Sequence, residues 1–340
     1  SFISIGYGNS INADNLTLAS GSGVGLGYTT LSGNLNVTAD TYIFSNNTVT
    51  VGGTTDLTSA TNDLIRFNVG TNDFTGVVDA AGGDVSIRMG GNLSLGDIDA
   101  TGTLNATSYS GNITQDTTGI TVAGEATLNA FSGTVGLVDN DNNFSGALNS
   151  NSDGLTLLDA GSIVLGNVYT DGDLTVTVLG GSITQNGTGV TVAGASVLNA
   201  TTDLTLNAVA NDFTGAVDAV GNTVTLTDAD GIVLGDIDAV ASLSVTAVTG
   251  DVTQSGVGID RIVVSDNAGF MSVIATTGNI TLETAINDSN GVANFVADNG
   301  SVSFVDANNL LVNAVSALGD VTVTANENLT LANGVATDGN

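Results

Sequence analysis

Short runs of alternating apolar and polar residues recur along the whole chain. Examples are SLSVTAV (242–248), LTVTVL (174–179) and DLTLNAV (203–209), each bounded by Gly, Asn or Asp. An alternation with a period of two is typical of strands with one buried side, and Gly, Asn and Asp favour the turns between them. No segment shows a sustained helical period, so the pattern predicts an all-β chain.

The sequence repeats itself about every 70 residues. Phe74, Phe144 and Phe213 lie in NDFTG, NNFSG and NDFTG, and Gln115, Gln185 and Gln254 recur at the same spacing. These residues serve as structural anchors of the repeat. The anchors divide the chain into predicted repeats at 1–71, 72–141, 142–210, 211–286 and 287–340, the last of them partial.

A repeat of this length divides into about three coils of roughly 23 residues, each giving one strand to each face of a solenoid. We therefore predict one continuous right-handed parallel β-helix (β-solenoid) over residues 1–340. About 15 coils spaced by about 4.8 Å would form a rod roughly 70 Å long. The right hand follows from the general preference of parallel crossovers.

Composition agrees with stacked strands and turns. The chain has 46 Gly and no Pro, and Pro would remove hydrogen bonds from the strand ladders. The chain has 34 acidic residues and only three basic ones, Arg66, Arg88 and Arg261, which gives a net charge of -31. Such a field repels nucleic acid and anionic membranes. With no leader and no apolar run of about 18 residues, we expect a segment of a longer secreted chain that does not insert into a membrane.

The repeats resemble those of a known family of surface proteins. The segments NDFTGAVDAVGNTVTLTDADGIVLGDIDA (211–239), SLSVTAVTGDVTQSG (242–256) and TGVTVAGASVLNA (188–200) look like the repeats of filamentous-haemagglutinin-like adhesins, which are very large bacterial proteins. The resemblance implies a right-handed β-helix that is exported across the outer membrane and displayed as a fibrous stalk. It therefore implies an extracellular, cell-surface location. It transfers no binding residue to this chain.

Paired aspartates suggest one candidate cofactor, Ca²⁺. Asp139 with Asp141 and Asp228 with Asp230 offer the hard oxygen ligands that Ca²⁺ prefers. The segment DNDNNFSGALNS (139–150) begins like an EF-hand loop but has Phe144 in place of the required Gly. Solvated turns are the alternative interpretation of these residues. A third interpretation is carboxylate pairs of a polysaccharide-cleaving enzyme.

An enzyme is not expected, because the chain has no His and no Lys to accompany carboxylates in a catalytic groove. The Phe anchors are expected to pack in the core or at corners. The Gln anchors are expected to bind the backbone of a neighbouring turn through their amides. An insertion around Phe270 to Asn294 is the candidate site for binding another molecule.

The leading hypothesis is a structural stalk or filament segment of a giant secreted cell-surface protein, which provides a stiff rod for adhesion or fibre formation. Its partners would be neighbouring repeats or identical protomers joined end to end. The alternative is an adhesin module that itself binds a surface glycan or a host protein. A polysaccharide-cleaving β-helix is the third hypothesis.

Overall fold

The structure is a computed structural model that describes residues 2–5, 9–60, 62–187, 189–256 and 260–337. These residues form 39 β-strands and no helix, so none of them belongs to a helix that could cross a membrane. The chain forms two compact units, residues 1–164 and 165–340. It passes from the first unit to the second within strand β21.

The strands are numbered in chain order. The first unit contains β1 (Ile3–Ser4), β2 (Ser10–Ala13), β3 (Leu16–Ser20), β4 (Val24–Leu26), β5 (Tyr28–Leu31), β6 (Leu35–Ala39), β7 (Ile43–Ser45), β8 (Val49–Val51), β9 (Thr55–Ser59), β10 (Ile65–Phe67), β11 (Asp73–Phe74), β12 (Val78–Gly82), β13 (Val85–Met89), β14 (Leu93–Ala100), β15 (Leu104–Ser108), β16 (Ile113–Gln115), β17 (Ile120–Val122), β18 (Ala126–Leu137), β19 (Asn143–Phe144) and β20 (Ala147–Asp159).

The second group begins with the strand that leads into the second unit. It contains β21 (Ile163–Thr170), β22 (Leu174–Val178), β23 (Ile183–Gln185), β24 (Val190–Val192), β25 (Ser196–Asn199), β26 (Leu204–Leu206), β27 (Asp212–Phe213), β28 (Ala216–Asp228), β29 (Ile232–Ala247), β30 (Val252–Gln254), β31 (Ile262–Val264), β32 (Phe270–Ala275), β33 (Ile280–Leu282), β34 (Asp288–Ser289), β35 (Val292–Ala297), β36 (Val302–Asp306), β37 (Leu310–Ala317), β38 (Val321–Ala325) and β39 (Leu329–Thr337).

The strands pair in parallel with strands of neighbouring coils. In β6, for example, Leu35, Val37 and Ala39 are buried, and this strand pairs with β3 on one side and β9 on the other. The predicted all-β parallel solenoid with about three coils per repeat is confirmed. Inward aliphatic side chains thus stack on one another from coil to coil, and each contributes about 1.5–3 kcal/mol through burial.

The stacks of paired strands, here called columns, do not all run the length of the first unit. The column β2–β5–β8–β11 ends at Phe74, so the coil that follows has only the strands β12 and β13. A new column begins one coil later, because β14 is long enough to pair with both β16 and β17. The column that ends in turn at Phe144 in β19 is the older one, which continues from β12 through the last residues of β14 to β17. The new column continues instead from β16 into β18. One column is therefore lost and one gained in this repeat.

The second unit repeats this exchange of columns. The column that contains β24 ends at Phe213 in β27. In the following coils, β29 pairs with β30 through its first residues and with β31 through its next ones. The column that contains β31 ends at Ser289 in β34, which takes the place of the Phe anchor. In the described part of the second unit, columns therefore end at the same position of the repeat as in the first unit, which is the position of the Phe anchor.

The region from Phe270 to Asn294 is not an insertion, so this prediction is wrong. Strand β32 pairs with β29 before it and β35 after it without a register shift. One additional residue lies between β32 and β33, and the others lie in two turns, one between β30 and β31 and the other between β31 and β32. Both turns are longer than the corresponding turns around β24. Residues 257–259 of the first turn lie outside the described residues.

Glycine is required where one turn packs on the next. The amide N–H of Gly124 donates to the carbonyl O of Gly102 at 2.7 Å, and Gly146 lies against Gly124 in the following coil. A Cβ atom on Gly146 would collide with the carbonyl group of Gly124, which is backbone and cannot rotate away. The final Gly of NNFSG therefore allows close contact between successive turns.

Replacing Gly146 by Ala is expected to lower the free energy of unfolding by about 1–3 kcal/mol, because the turn must move away from its neighbour. The matched control is Gly136→Ala, since a Cβ atom on Gly136 meets nothing within 4 Å. Urea denaturation followed by circular dichroism measures both variants. Equal stability of the two variants would show that the turns have room to separate.

Candidate functional site

Three strand columns end in a buried polar junction, which consists of a Gln, an Asn and an Asp. In the first unit these residues are Gln115, Asn142 and Asp159, and both Asn142 and Asp159 are 0% exposed. Gln115 Nε2 donates to Asn142 Oδ1 at 2.6 Å, and Asn142 Nδ2 donates to Gln115 Oε1 at 3.0 Å. The two side-chain amides therefore form a reciprocal pair between two coils.

Asn142 also satisfies two backbone groups that the column leaves without a ladder partner. Its Oδ1 accepts from the backbone N–H of Ile120 at 2.9 Å, and its Nδ2 donates to the carbonyl O of Leu158 at 3.1 Å. Buried backbone groups without partners are costly, so one side chain here replaces bonds that a strand would make.

Gln115 binds the backbone of two turns. Its Nε2 donates to the carbonyl O of Thr118 at 2.6 Å within its own turn. Its Oε1 accepts from the backbone N–H of Asp139 at 3.2 Å in the next coil. The Gln anchor thus connects successive turns through backbone hydrogen bonds, the role anticipated from its position before a turn.

Asp159 caps the strand that ends the column. Its Oδ2 accepts from the backbone N–H of Phe144 at 2.8 Å, and its Oδ1 accepts from the backbone N–H of Gly161 at 2.8 Å. A carboxylate thereby occupies the place of the next strand. Burial raises the pKa of Asp159, and its two backbone hydrogen bonds oppose the shift only in part.

The junction recurs twice in the second unit. Its members are Gln185, Asn211 and Asp228 in one repeat and Gln254, Asn287 and Asp306 in the next. Asp228 Oδ2 accepts from the N–H of Phe213 at 2.7 Å, and Asp306 Oδ2 accepts from the N–H of Ser289 at 2.8 Å. Burial raises the pKa of Asp228 to about 6 and also raises the pKa of Asp306.

The first repeat keeps only the Asn of the junction. At the positions that correspond to Gln115 and Asp159 in the first repeat, the chain has Ser45 and the buried Met89 instead. Asn72 nevertheless accepts from the N–H of Val49 at 2.9 Å and donates to the carbonyl O of Phe67 at 3.1 Å. The Asn is therefore the constant member of the junction.

A second polar feature marks the strand that opens a new column. Asp79 Oδ1 accepts from the backbone N–H of Asp97 at 2.8 Å, and Asp218 Oδ1 accepts from that of Asp236 at 2.8 Å. The register shifts at both places. A Cβ atom on the preceding Gly96 would collide with the Asp79 carboxylate, so Gly is required at the bulge.

The Phe anchors Phe74, Phe144 and Phe213 lie in the core, each 1% exposed. The ring of Phe74 contacts Phe67 edge-on with centroids 5.8 Å apart. The three Phe rings fill the apolar core at the end of a column, beside the polar residues.

The candidate calcium ligands lie close together only within each pair, Asp139 with Asp141 and Asp228 with Asp230, whose members are two residues apart in the sequence. Asp139 Oδ1 accepts from the backbone N–H of Asp141, and Asp228 uses both of its oxygens on backbone groups. Asp230 is exposed and accepts from the hydroxyl of Thr249 at 3.0 Å. No three acidic residues among the described ones are grouped to hold a metal ion. Calcium binding at these aspartates stays a prediction.

Sequence reasoning missed the Asn and Asp members of the junction as a functional set. Their signals are present, since Asn72, Asn142, Asn211 and Asn287 each precede the anchor position by two residues. The Asp members stand in the motif Asp-Ala at the end of a strand. Exposed and buried Asn look alike in the sequence, so only the structure separates them.

Comparison with known proteins agrees with the repeat pattern. No curated protein and no solved structure is found similar to this chain. The model of a family described as repeats of unknown function (DUF5649) matches four consecutive stretches, residues 13–81, 82–151, 152–220 and 221–296. The chain, a structural repeat protein with a β-solenoid fold, therefore belongs to this family of repeats of unknown function.

Proposed function

We propose that the chain is a structural stalk or filament segment of a giant secreted cell-surface protein, with no catalytic role. The observation that carries the proposal is the polar junction, which joins successive coils by side-chain hydrogen bonds wherever a strand column ends. A solenoid is weakest where its ladder is interrupted, because backbone groups there lose their partners. The complete junction restores those hydrogen bonds at three interruptions, and Asn72 alone restores some of them at the first one.

A stiff rod is the mechanical consequence. Hydrogen bonds between parallel strands run from coil to coil, so a pulling force along the solenoid is shared among several of them in each coil. The junction of Gln115 with Asn142 adds side-chain bonds in the same direction. Such a segment would extend an adhesive domain from the cell surface or link subunits of a fibre.

The resemblance to filamentous-haemagglutinin-like adhesins supports the secreted, extracellular location of this proposal. The partners that we propose are neighbouring repeats of the same protein or identical protomers stacked end to end. Bound Ca²⁺ would reduce the repulsion among 34 acidic residues. A second function, direct binding of a glycan, is favoured by one surface of the first unit, which is described below.

Negative-stain electron microscopy of the purified chain tests the proposal. We expect stiff, unbranched particles with the diameter of one solenoid, either single rods or end-to-end fibres. If Ca²⁺ lies at the joints, fibres formed with calcium will shorten when a chelator is added.

The same measurement on the Asn142→Ala variant provides the contrast. We expect that variant to give bent or broken particles, because its interrupted ladder has lost the junction. Globular or highly flexible particles from the unaltered chain would rule out a stalk function.

A further inference from the structure

One outer face of the first unit combines aromatic rings with arginine. This aromatic–arginine face consists of Phe2, Tyr42, Phe44, Arg66 and Arg88. Phe44 and Arg66 are register partners on the neighbouring strands β7 and β10, so about 4.8 Å separates their backbones. Arg88 lies on β13, the next strand of the same column. Two of the three basic residues of the chain therefore belong to one face.

These two arginines have no acidic partner. The only ion pair within the described part of the chain joins Arg261 to Asp236, at 3.6 Å. Arg66 and Arg88 thus form none, although the chain has 34 acidic residues. The Nε atom of Arg88 is buried and has no hydrogen-bond partner. Guanidinium groups without carboxylates are available to an anionic ligand.

The aromatic rings form a continuous row beside Arg66, in which Phe2 and Tyr42 are exposed and Phe44 is half-buried. The ring centroids of Phe2 and Tyr42 lie 5.9 Å apart, and those of Tyr42 and Phe44 lie 5.8 Å apart. Phe2 is 45% exposed and Tyr42 is 41% exposed. The rings lie against Gly23 and Gly25, whose missing side chains leave room for them. The row therefore presents apolar ring surface to the solvent.

A pocket next to Phe44 adds polar groups. Ser4, Gly25, Asn46 and Asn47 line this pocket together with Phe44. Asn47 is only 7% exposed, and the hydroxyl group of Ser45 donates to its carbonyl O and accepts from its backbone N–H. Because Asn47 lines the pocket, its side-chain amide can bind a polar ligand there.

We propose that this face binds a glycan that ends in a sugar with one carboxylate, such as a sialic acid or a uronic acid. Phe44 and Tyr42 contact the apolar side of a sugar ring, while Asn46 and Asn47 bind its hydroxyl groups. Arg66, one strand away, binds the carboxylate through two parallel hydrogen bonds. This binding is additional to the structural role and does not depend on it.

The charge of the chain selects this ligand over two others. A highly charged polyanion would be repelled by the net charge of -31 over most of its length. A second copy of the chain that packed sideways against this face would bring the same charge and would be repelled as well. A single carboxylate next to hydroxyl groups matches two arginines and two amides without bringing further negative charge.

Ligand-observed saturation-transfer NMR with 3′-sialyllactose and with lactose tests the proposal. We expect 3′-sialyllactose to bind and lactose to bind at least about tenfold more weakly, because only the former has a carboxylate for Arg66. Arg66→Gln should weaken binding of 3′-sialyllactose about tenfold, and Phe44→Ser should abolish binding of this sugar. The matched control is Arg261→Gln, which should bind like the unaltered chain.

Circular dichroism establishes that each variant keeps its strands. Equal binding of both sugars, unchanged binding by Arg66→Gln, or no binding at all would overturn the proposal. Sedimentation that shows a dimer dissociated by Arg66→Gln would also overturn it, because a second copy would then occupy the face. None of these outcomes affects the stalk function, which electron microscopy tests separately.

Discussion

Replacing Asn142 by Ala is expected to lower the free energy of unfolding by about 3–5 kcal/mol. The change leaves the N–H of Ile120 and the carbonyl of Leu158 without partners in the interior and removes the amide that pairs with Gln115. Urea denaturation measures the loss. Hydrogen exchange locates it, because the amide of Ile120 should exchange faster than its neighbours in the same column.

The adjacent Asn143 supplies the control. Its side chain is exposed and makes only a long contact with Ser145, at 3.5 Å. Asn143→Ala should therefore change the free energy of unfolding by less than about 0.5 kcal/mol. If both variants were equally stable, the buried amide would not hold the coils together, and the mechanical part of the proposed function would fail with it.

The chain is expected to become less stable as the pH rises from about 4 to about 6. Burial raises the pKa of Asp228 from its ordinary value to about 6, and the nearby Asp212 and Asp230 contribute. In this window the folded chain binds more protons than the unfolded chain, so the free energy of unfolding falls with rising pH. Asp159 and Asp306 shift in the same direction.

A pKa change of about two units corresponds to at most about 3 kcal/mol for Asp228, all of it lost above pH 6. Urea denaturation at pH 4.5 and pH 7 measures the difference. About 1 M salt should be present, because it screens the general repulsion among exposed acidic residues and leaves the buried group largely unaffected.

Asp228→Asn isolates the contribution of this group. The amide oxygen can still accept from Phe213, but the side chain no longer titrates, so the stability of the variant should depend less on pH. Asp230→Asn is the matched exposed control and should retain most of the dependence. A free energy of unfolding that rises with pH, or an identical slope in Asp228→Asn, would contradict the assigned cause.

The repeat, the strand class and the parallel solenoid could be predicted because they follow from local pattern. Alternation with a period of two determines which side of a strand is buried, and the anchors at Phe74, Phe144 and Phe213 set the period. Buried polar residues could not be predicted in the same way. Asn142 and Asn143 are neighbours of one residue type, and only the stacking of the next coil decides which is enclosed.

The misplaced insertion has a related cause. The strand FMSVIA (270–275) pairs as regularly as any other, so the additional residues had to lie in the turns before and after it. Turn length is poorly constrained by sequence, since a turn can grow at little energetic cost. The aromatic–arginine face was also missed, because Phe44 and Arg66 are brought together only by the pairing of β7 with β10.

The polar junction also limits how genes for such proteins can grow. Gln115 binds Asn142, 27 residues later, and the backbone of Phe144 binds Asp159, 15 residues later, so each bond joins residues of successive coils. Duplicating a single coil would separate these partners and bury an amide or a carboxylate alone. Duplicating a whole repeat would copy donor and acceptor together. We therefore expect natural length variants to differ by multiples of about 70 residues.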